Sequence, residues 1–206
     1  IGVRLVGSEM CIRDSYMIRC AFFGALLMII CSCNENAIRV ANIVGQEISF
    51  DVQLRNINGD EVSPKNQNVK ECVKLLIYYD SLGCNTCRVQ GLGDWAKVMQ
   101  ESEESNGALG VYIIFTPRKN APNEIPRLLR LENFSYPVYM DDSGDFYKAN
   151  KKVVDEGYET ILLLDRNNRV VLVGNPLIND AMRALFKATL DNMLAHDGVY
   201  VPDEKN

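Results

Sequence analysis

The sequence predicts an α/β fold with a mixed central sheet and helices on both faces. Three observations carry that expectation. Two continuous apolar runs of strand length, Leu75–Tyr79 and Leu109–Phe115, have the character of strands buried on both sides. Apolar residues at helical spacing follow the first run, beginning with Leu92, Trp95, Val98 and Met99. Late in the chain, Thr160–Asp165 and Arg169–Val173 flank Arg166-Asn167-Asn168, which reads as a hairpin. Parallel strands early and an antiparallel pair late make the sheet mixed.

Residues 1–16 read as foreign. Leu5 to Ser15 is what an in-frame translation of a transposase adapter used in sequencing libraries gives, so this stretch stands outside fold reasoning. Met17 is the expected start. Arg19 supplies a positive n-region, and Ala21–Ile30 an apolar run too short to cross a bilayer comfortably but suited to a signal peptide. The expected organisation is a signal over 17–32, a tether over 33–44, one domain over 45–198 and a tail over 199–206. Ile30-Cys31-Ser32-Cys33 resembles a bacterial lipobox. The resemblance implies lipidation of Cys33, membrane attachment through that lipid, and a place in the cell envelope.

Within the domain, Glu47–Leu54 alternates apolar and polar residues and reads as a half-exposed strand. Asn58-Gly59-Asp60 is a turn signal, and Val62 begins a return strand or loop. Leu75–Tyr79 is the central strand. A helix is expected from about Arg88 to Met99, kinked or late in starting because Gly91 and Gly93 each cost it roughly 1 kcal/mol against alanine. Leu109–Phe115 is the next strand, stopped by Pro117. Glu124–Leu131 is a helix with Pro126 tolerated in its first turn. Tyr136–Asp141 is a short strand, and Asp142-Ser143-Gly144 turns into a helix from Asp145 to about Lys151. After the hairpin, Asn179 or Asp180 caps an amphipathic helix with Met182, Leu185, Phe186, Leu190 and Met193 on one side.

The composition is 47% apolar and 24% charged, ordinary for a globular core, and the net charge of −5 offers no basic surface for nucleic acid. Of seven cysteines, Cys11 lies in the foreign stretch, Cys20 and Cys31 leave with the signal, and Cys33 would carry lipid. Cys72, Cys84 and Cys87 remain. One close pair and one odd thiol do not make a disulfide-stapled scaffold.

Cys84-Asn85-Thr86-Cys87 sits where a buried strand runs into a helix. Unpaired N–H groups and the positive end of the helix dipole favour thiolate there. Cys84 is the expected attacking sulfur, and Cys87, three residues on, the resolving one. A zinc site needs about four ligands, and only Cys72 and His196 are available besides the pair. Cys72 falls at the far end of the strand, roughly 20 Å or more from Cys84, and is expected to be a buried structural thiol. His196 lies in a polar tail and is expected at the surface. Neither a metal nor a cofactor is expected.

The element order, with Cys-x-x-Cys after the first buried strand, resembles the thioredoxin fold. Tyr136-Pro137-Val138-Tyr139-Met140-Asp141 is similar to the strand–helix insertion of the TlpA and peroxiredoxin branch. Thr160–Val170 resembles that branch's hairpin, with Asn168 where the pattern has glycine. Together with the lipobox, the chain resembles thioredoxin-like lipoproteins of Gram-negative bacteria. The resemblance implies thiol–disulfide exchange on exported proteins, with protein disulfides or dithiols as substrates and a second redox partner to recharge the pair.

Two departures bear on the site. The family's cis-proline before the hairpin threonine is Glu159 here, and a carboxylate beside a thiolate raises the thiol's pKa. The buried aspartate that thioredoxin keeps six residues before its first cysteine is Tyr78 here. Asp80 either takes over proton transfer or is a loop residue, the latter being favoured. Ser81, Glu159 and Thr160 complete the expected site lining. The loops Ser81-Leu82-Gly83 and Gly157-Tyr158-Glu159 are where a partner would be read.

Two other functions fit parts of the sequence. A lipid-anchored binding module could hold Cys84–Cys87 as a static disulfide after loss of the cis-proline. A peroxiredoxin-like peroxidase matches Ser81, three residues before Cys84, but has Ile77 where that motif carries proline.

Overall fold

The computed structural model describes residues 37–64, 70–154 and 159–202. The expected signal, lipobox and Cys33 lie outside these residues, as do Gly157 and Tyr158. The chain divides into two compact units, residues 1–42 and Ile43–Asn206. Of the first, residues 37–42 are described, all within helix α1 (37–43). No helix among the described residues is long and apolar enough to cross a membrane.

The second unit is built on one sheet, in which seven strands are described: β1 (Leu54–Asn56), β2 (Glu61–Val62), β3 (Val73–Tyr79), β4 (Leu109–Phe115), β5 (Val138–Met140), β6 (Thr160–Leu164) and β7 (Val170–Val173). Their order is β2-β1-β5-β4-β3-β6-β7. Strands β3, β4 and β5 are parallel, and β1, β2, β6 and β7 join antiparallel, so the sheet is mixed as expected.

Side chains alternate strictly across the central strands, which produces two cores. Leu75, Ile77, Tyr79, Ile113, Phe115 and Leu163 face one layer of helices. This layer is α2 (Asn85–Gly91), a 3-10 turn (Leu92–Trp95), α3 (Ala96–Glu104), α4 (Glu124–Leu131) and α6 (Asp180–Ala195). Leu76, Tyr78, Ile114, Leu162 and Leu164 face the other way, against α5 (Asp145–Asn150) and the segment bearing Ile48 and Phe50. Each fully buried aliphatic side chain contributes about 1.5–3 kcal/mol, so the central strands alone fix the layering.

The glycine pair acts as the composition implies. The helix breaks at Gly91 into the 3-10 turn, which rotates Trp95, Val98 and Met99 onto the core. Asn179, rather than Asp180, caps α6, its Oδ1 accepting the Met182 N–H at 2.8 Å.

Two expectations fail. Residues 47–53 alternate in burial as expected, with Ile48 and Phe50 inside, but form no strand before Leu54. Their hydrogen bonds go elsewhere: a single bridge from Glu47 to Arg169, Ile48 N–H to the Asn168 carbonyl, and Ser49 N–H to Asn150 Oδ1. On α6, Leu185 is half exposed and leaves the apolar stripe, while Thr189 is buried in it and bonds the Leu185 carbonyl.

Candidate redox site

Strand β3 ends at Tyr79, and Asp80–Gly83 carries the chain to α2. Cys84 is the N-cap of that helix, with extended backbone (φ −76°, ψ 100°), and its Sγ accepts the Cys87 N–H at 3.2 Å. An orphan amide of the first turn therefore points at this sulfur, which favours negative charge on it. Cys84 and Cys87 form a disulfide, their Cα atoms 5.3 Å apart. Both cysteines are exposed. The helix begins at Asn85, three residues earlier than expected.

Two arginines fix the approach loop. Arg88, the residue after the pair, reaches back under it: Nη1 donates to the Asp80 carbonyl at 2.6 Å and Nη2 to Asp80 Oδ1 at 2.7 Å. Its guanidinium lies over the Tyr79 ring, 5.3 Å from the centroid. A Cβ on Gly83 would come within 2.2 Å of Arg88 Cζ, so only glycine leaves room for this arrangement. Arg118 donates from Nη2 to the Gly83 carbonyl at 2.8 Å. Glu124, at the start of α4, accepts from Asn85 Nδ2 at 2.8 Å and lies 3.8 Å from Arg118 Nη1, joining the loop, α2 and α4.

Asp80 is thus neither an idle loop residue nor an exposed acid. It is 3% exposed and held in an ion pair. Its Oδ1 also accepts the Leu82 N–H at 3.2 Å, an Asx-type turn that shapes the loop. Ser81 contributes its carbonyl to Arg118 at 3.4 Å. Leu82, two residues before Cys84, is 67% exposed.

A cleft of about 360 Å³ opens beside the pair. Cys87, Arg88, Asp94 and Trp95 form one side, Glu159 lies at its edge, and Asn175, Leu177 and Ile178 come from the loop after β7. Thr160, next to Glu159, is buried where β6 pairs with Tyr78, and its hydroxyl oxygen has no hydrogen-bond partner among the described residues. Tyr79, on the cleft side of the sheet, stays protonated: burial, and then the Glu159 charge beside it, push its pKa far up. Tyr78 points to the opposite face, where its hydroxyl meets Thr116 Oγ1 at 2.7 Å, and burial raises its pKa to about 12.

Cys72 precedes β3 at the far end of the strand, half buried rather than buried, with its Sγ 3.7 Å from the Ala108 carbonyl. His196 ends α6 at the surface, its Nδ1 2.7 Å from the Asn192 carbonyl. The sequence had not pointed to Arg118, Asn175 or Ile178. They reach the site from distant segments, and nothing in the sequence around them marks them.

No protein-family model and no curated protein matches this sequence. Solved structures do match. The thioredoxin domain of a thiol-disulfide oxidoreductase from Bacteroides vulgatus superposes with a TM-score of 0.54 at 14% identity, covering 70% of this chain and 96% of that one. A thiol:disulfide interchange protein from a Bacteroides species gives 0.53 at 14%, covering 71% and 90%. An uncharacterized thioredoxin-like protein from Porphyromonas gingivalis gives 0.51 at 18%, covering 77% and 97%. The chain has a thioredoxin-like fold, as the motif order implied.

Proposed function

We propose that the chain carries out thiol–disulfide exchange on proteins of the cell envelope, with Cys84 attacking and Cys87 resolving. The observation that carries this is Cys84 at the helix N-cap, its sulfur facing the Cys87 amide, exposed and already joined to Cys87. Solved structures of the same fold that are described as thiol–disulfide oxidoreductases support the reading.

In the reducing direction, Cys84 thiolate attacks one sulfur of a substrate disulfide. A Cys84–substrate bond forms, the substrate S–S bond breaks, and the first substrate sulfur leaves as thiolate. Cys87, deprotonated, then attacks Cys84 Sγ, releasing the second substrate sulfur and restoring Cys84–Cys87. Two electrons pass from the pair to the substrate, and a second dithiol partner returns them. The reverse sequence oxidises a substrate dithiol. The lipobox-like Cys33 supports attachment to a membrane by lipid, which would hold this chemistry in the cell envelope.

The test is turnover of a protein disulfide such as that of insulin by the domain with a dithiol reductant. The expected result is turnover above the reductant alone that is lost in Cys84→Ser. Equal rates with both proteins would favour a binding module with a static disulfide, the second reading, for which Glu159 at the cis-proline position speaks.

A further inference from the structure

We propose that the cleft beside the disulfide selects substrates in which the reacting cysteine is flanked by a basic residue and an apolar one. This rests on the exchange chemistry proposed above and names the substrate class for that same site. Three charged side chains line the cleft together with Cys87: Arg88, Asp94 and Glu159. Arg88 brings no free positive charge, because its guanidinium is bonded to buried Asp80 and only 14% of its side chain is exposed. Asp94 and Glu159 are both exposed, and neither is in an ion pair among the described residues. The Tyr79 hydroxyl, held protonated, donates a hydrogen bond to Glu159 and, being neutral, leaves its negative charge in place.

The cleft therefore presents two carboxylates that no cation among the described residues neutralises, beside Cys87, whose sulfur becomes a thiolate before it resolves the mixed disulfide. A lysine or arginine next to the substrate cysteine offsets both, whereas an acidic neighbour adds to the repulsion. The chain's net charge of −5 steers the same class of partner from a distance. An apolar neighbour is favoured by Ile178, which stands 71% exposed on the cleft wall. A side chain left that exposed gains from being covered, and a substrate leucine or valine at this wall removes apolar surface from water.

Two synthetic peptides test this. Each carries one intramolecular disulfide and a leucine beside the reacting cysteine, and they differ only in lysine against glutamate on its other side. The reduced domain is mixed with each, and the ratio of the two rate constants is read at low ionic strength and in about 0.5 M salt. Being a ratio within one protein, it is insensitive to changes in the intrinsic reactivity of the pair. The lysine peptide is expected to react roughly 10-fold faster or more at low salt, as field focusing in a like-charged cleft implies. The preference should shrink in high salt and in the Glu159→Gln/Asp94→Asn double variant. A ratio near one in the unmodified domain, or a ratio retained by the double variant, overturns the proposal while leaving exchange intact. Failure to reduce either peptide and hydroxyethyl disulfide as well overturns the exchange reading itself, and this one with it.

Discussion

Arg88 grips Asp80 at two points, side chain and main chain, and so ties the first turn of α2 to the end of β3. The cysteine pair is carried between these two anchors. Both partners are largely out of water, with 14% and 4% of their side chains exposed. Such a pair is costly to break from one side, because the remaining charge is left buried. Arg88→Leu is therefore expected to lower the unfolding free energy by about 3–5 kcal/mol. Asp80→Asn/Arg88→Leu should recover much of that loss. Urea denaturation of both variants checks this, and a double variant no better than the single one would contradict it.

Gly83 is expected to tolerate no side chain. Overpacking of a methyl against an anchored group costs about 1–3 kcal/mol, and Arg88 is not free to swing away while Asp80 holds it. Gly83→Ala should lower Tm and shift the rate of Cys84 alkylation in the reduced protein. Combining it with Arg88→Ala should cost less than the two separate losses together, which thermal melts of the three proteins would show.

Asp141 is fully buried and accepts the Phe146 and Tyr147 N–H groups at 3.1 and 3.0 Å, capping α5. Burial raises its pKa above the ordinary 3.8. The folded state thus keeps the proton to higher pH than the unfolded state does. Stability from this group is fully present below the unfolded pKa and falls as pH rises through the folded one. Asp141→Asn removes the dependence but also weakens the cap. Its stability relative to the unmodified protein should therefore improve from about pH 4 upward until the folded Asp141 has lost its proton, and then level off, whatever the offset. A difference that stays constant with pH, in urea titrations, would contradict this.

Removing the α6 cap by Asn179→Ala is expected to cost about 1 kcal/mol, with Asn179→Asp nearly neutral. Far-ultraviolet circular dichroism during thermal unfolding gives both values.

The sequence carried the fold well because its signals are local. An apolar run such as Leu75–Tyr79, of strand length and followed at once by the Asp80–Gly83 turn signals, reads as a buried strand, and Gly91 and Gly93 weaken a helix wherever they fall. Asn168 is a further case: it adopts φ +60°, a conformation that glycine takes freely and asparagine tolerates, which accounts for it where the hairpin pattern has glycine. Residues 47–53 misled because alternating burial does not require a neighbouring strand. Ile48 and Phe50 pack inward while Asn150 and Asn168 take up main-chain hydrogen bonds.

The site was half legible. Cys84 and Cys87 announce themselves by spacing and by the strand before them. Asp80 was visible, but its partner lies across a loop and past the pair, a separation with no periodicity to detect. Glu159 drew attention only through the resemblance, as a missing proline. Ile178 and Asn175 come to the cleft from the far side of the hairpin, and nothing in their own neighbourhood marks them.

The most direct test of redox function is the reduction potential of Cys84–Cys87 in the soluble domain, set against defined glutathione or dithiol buffers. A working exchange pair is expected between roughly −270 and −120 mV, with no titration in Cys84→Ser. A potential below about −300 mV, the range of structural disulfides, would contradict the account.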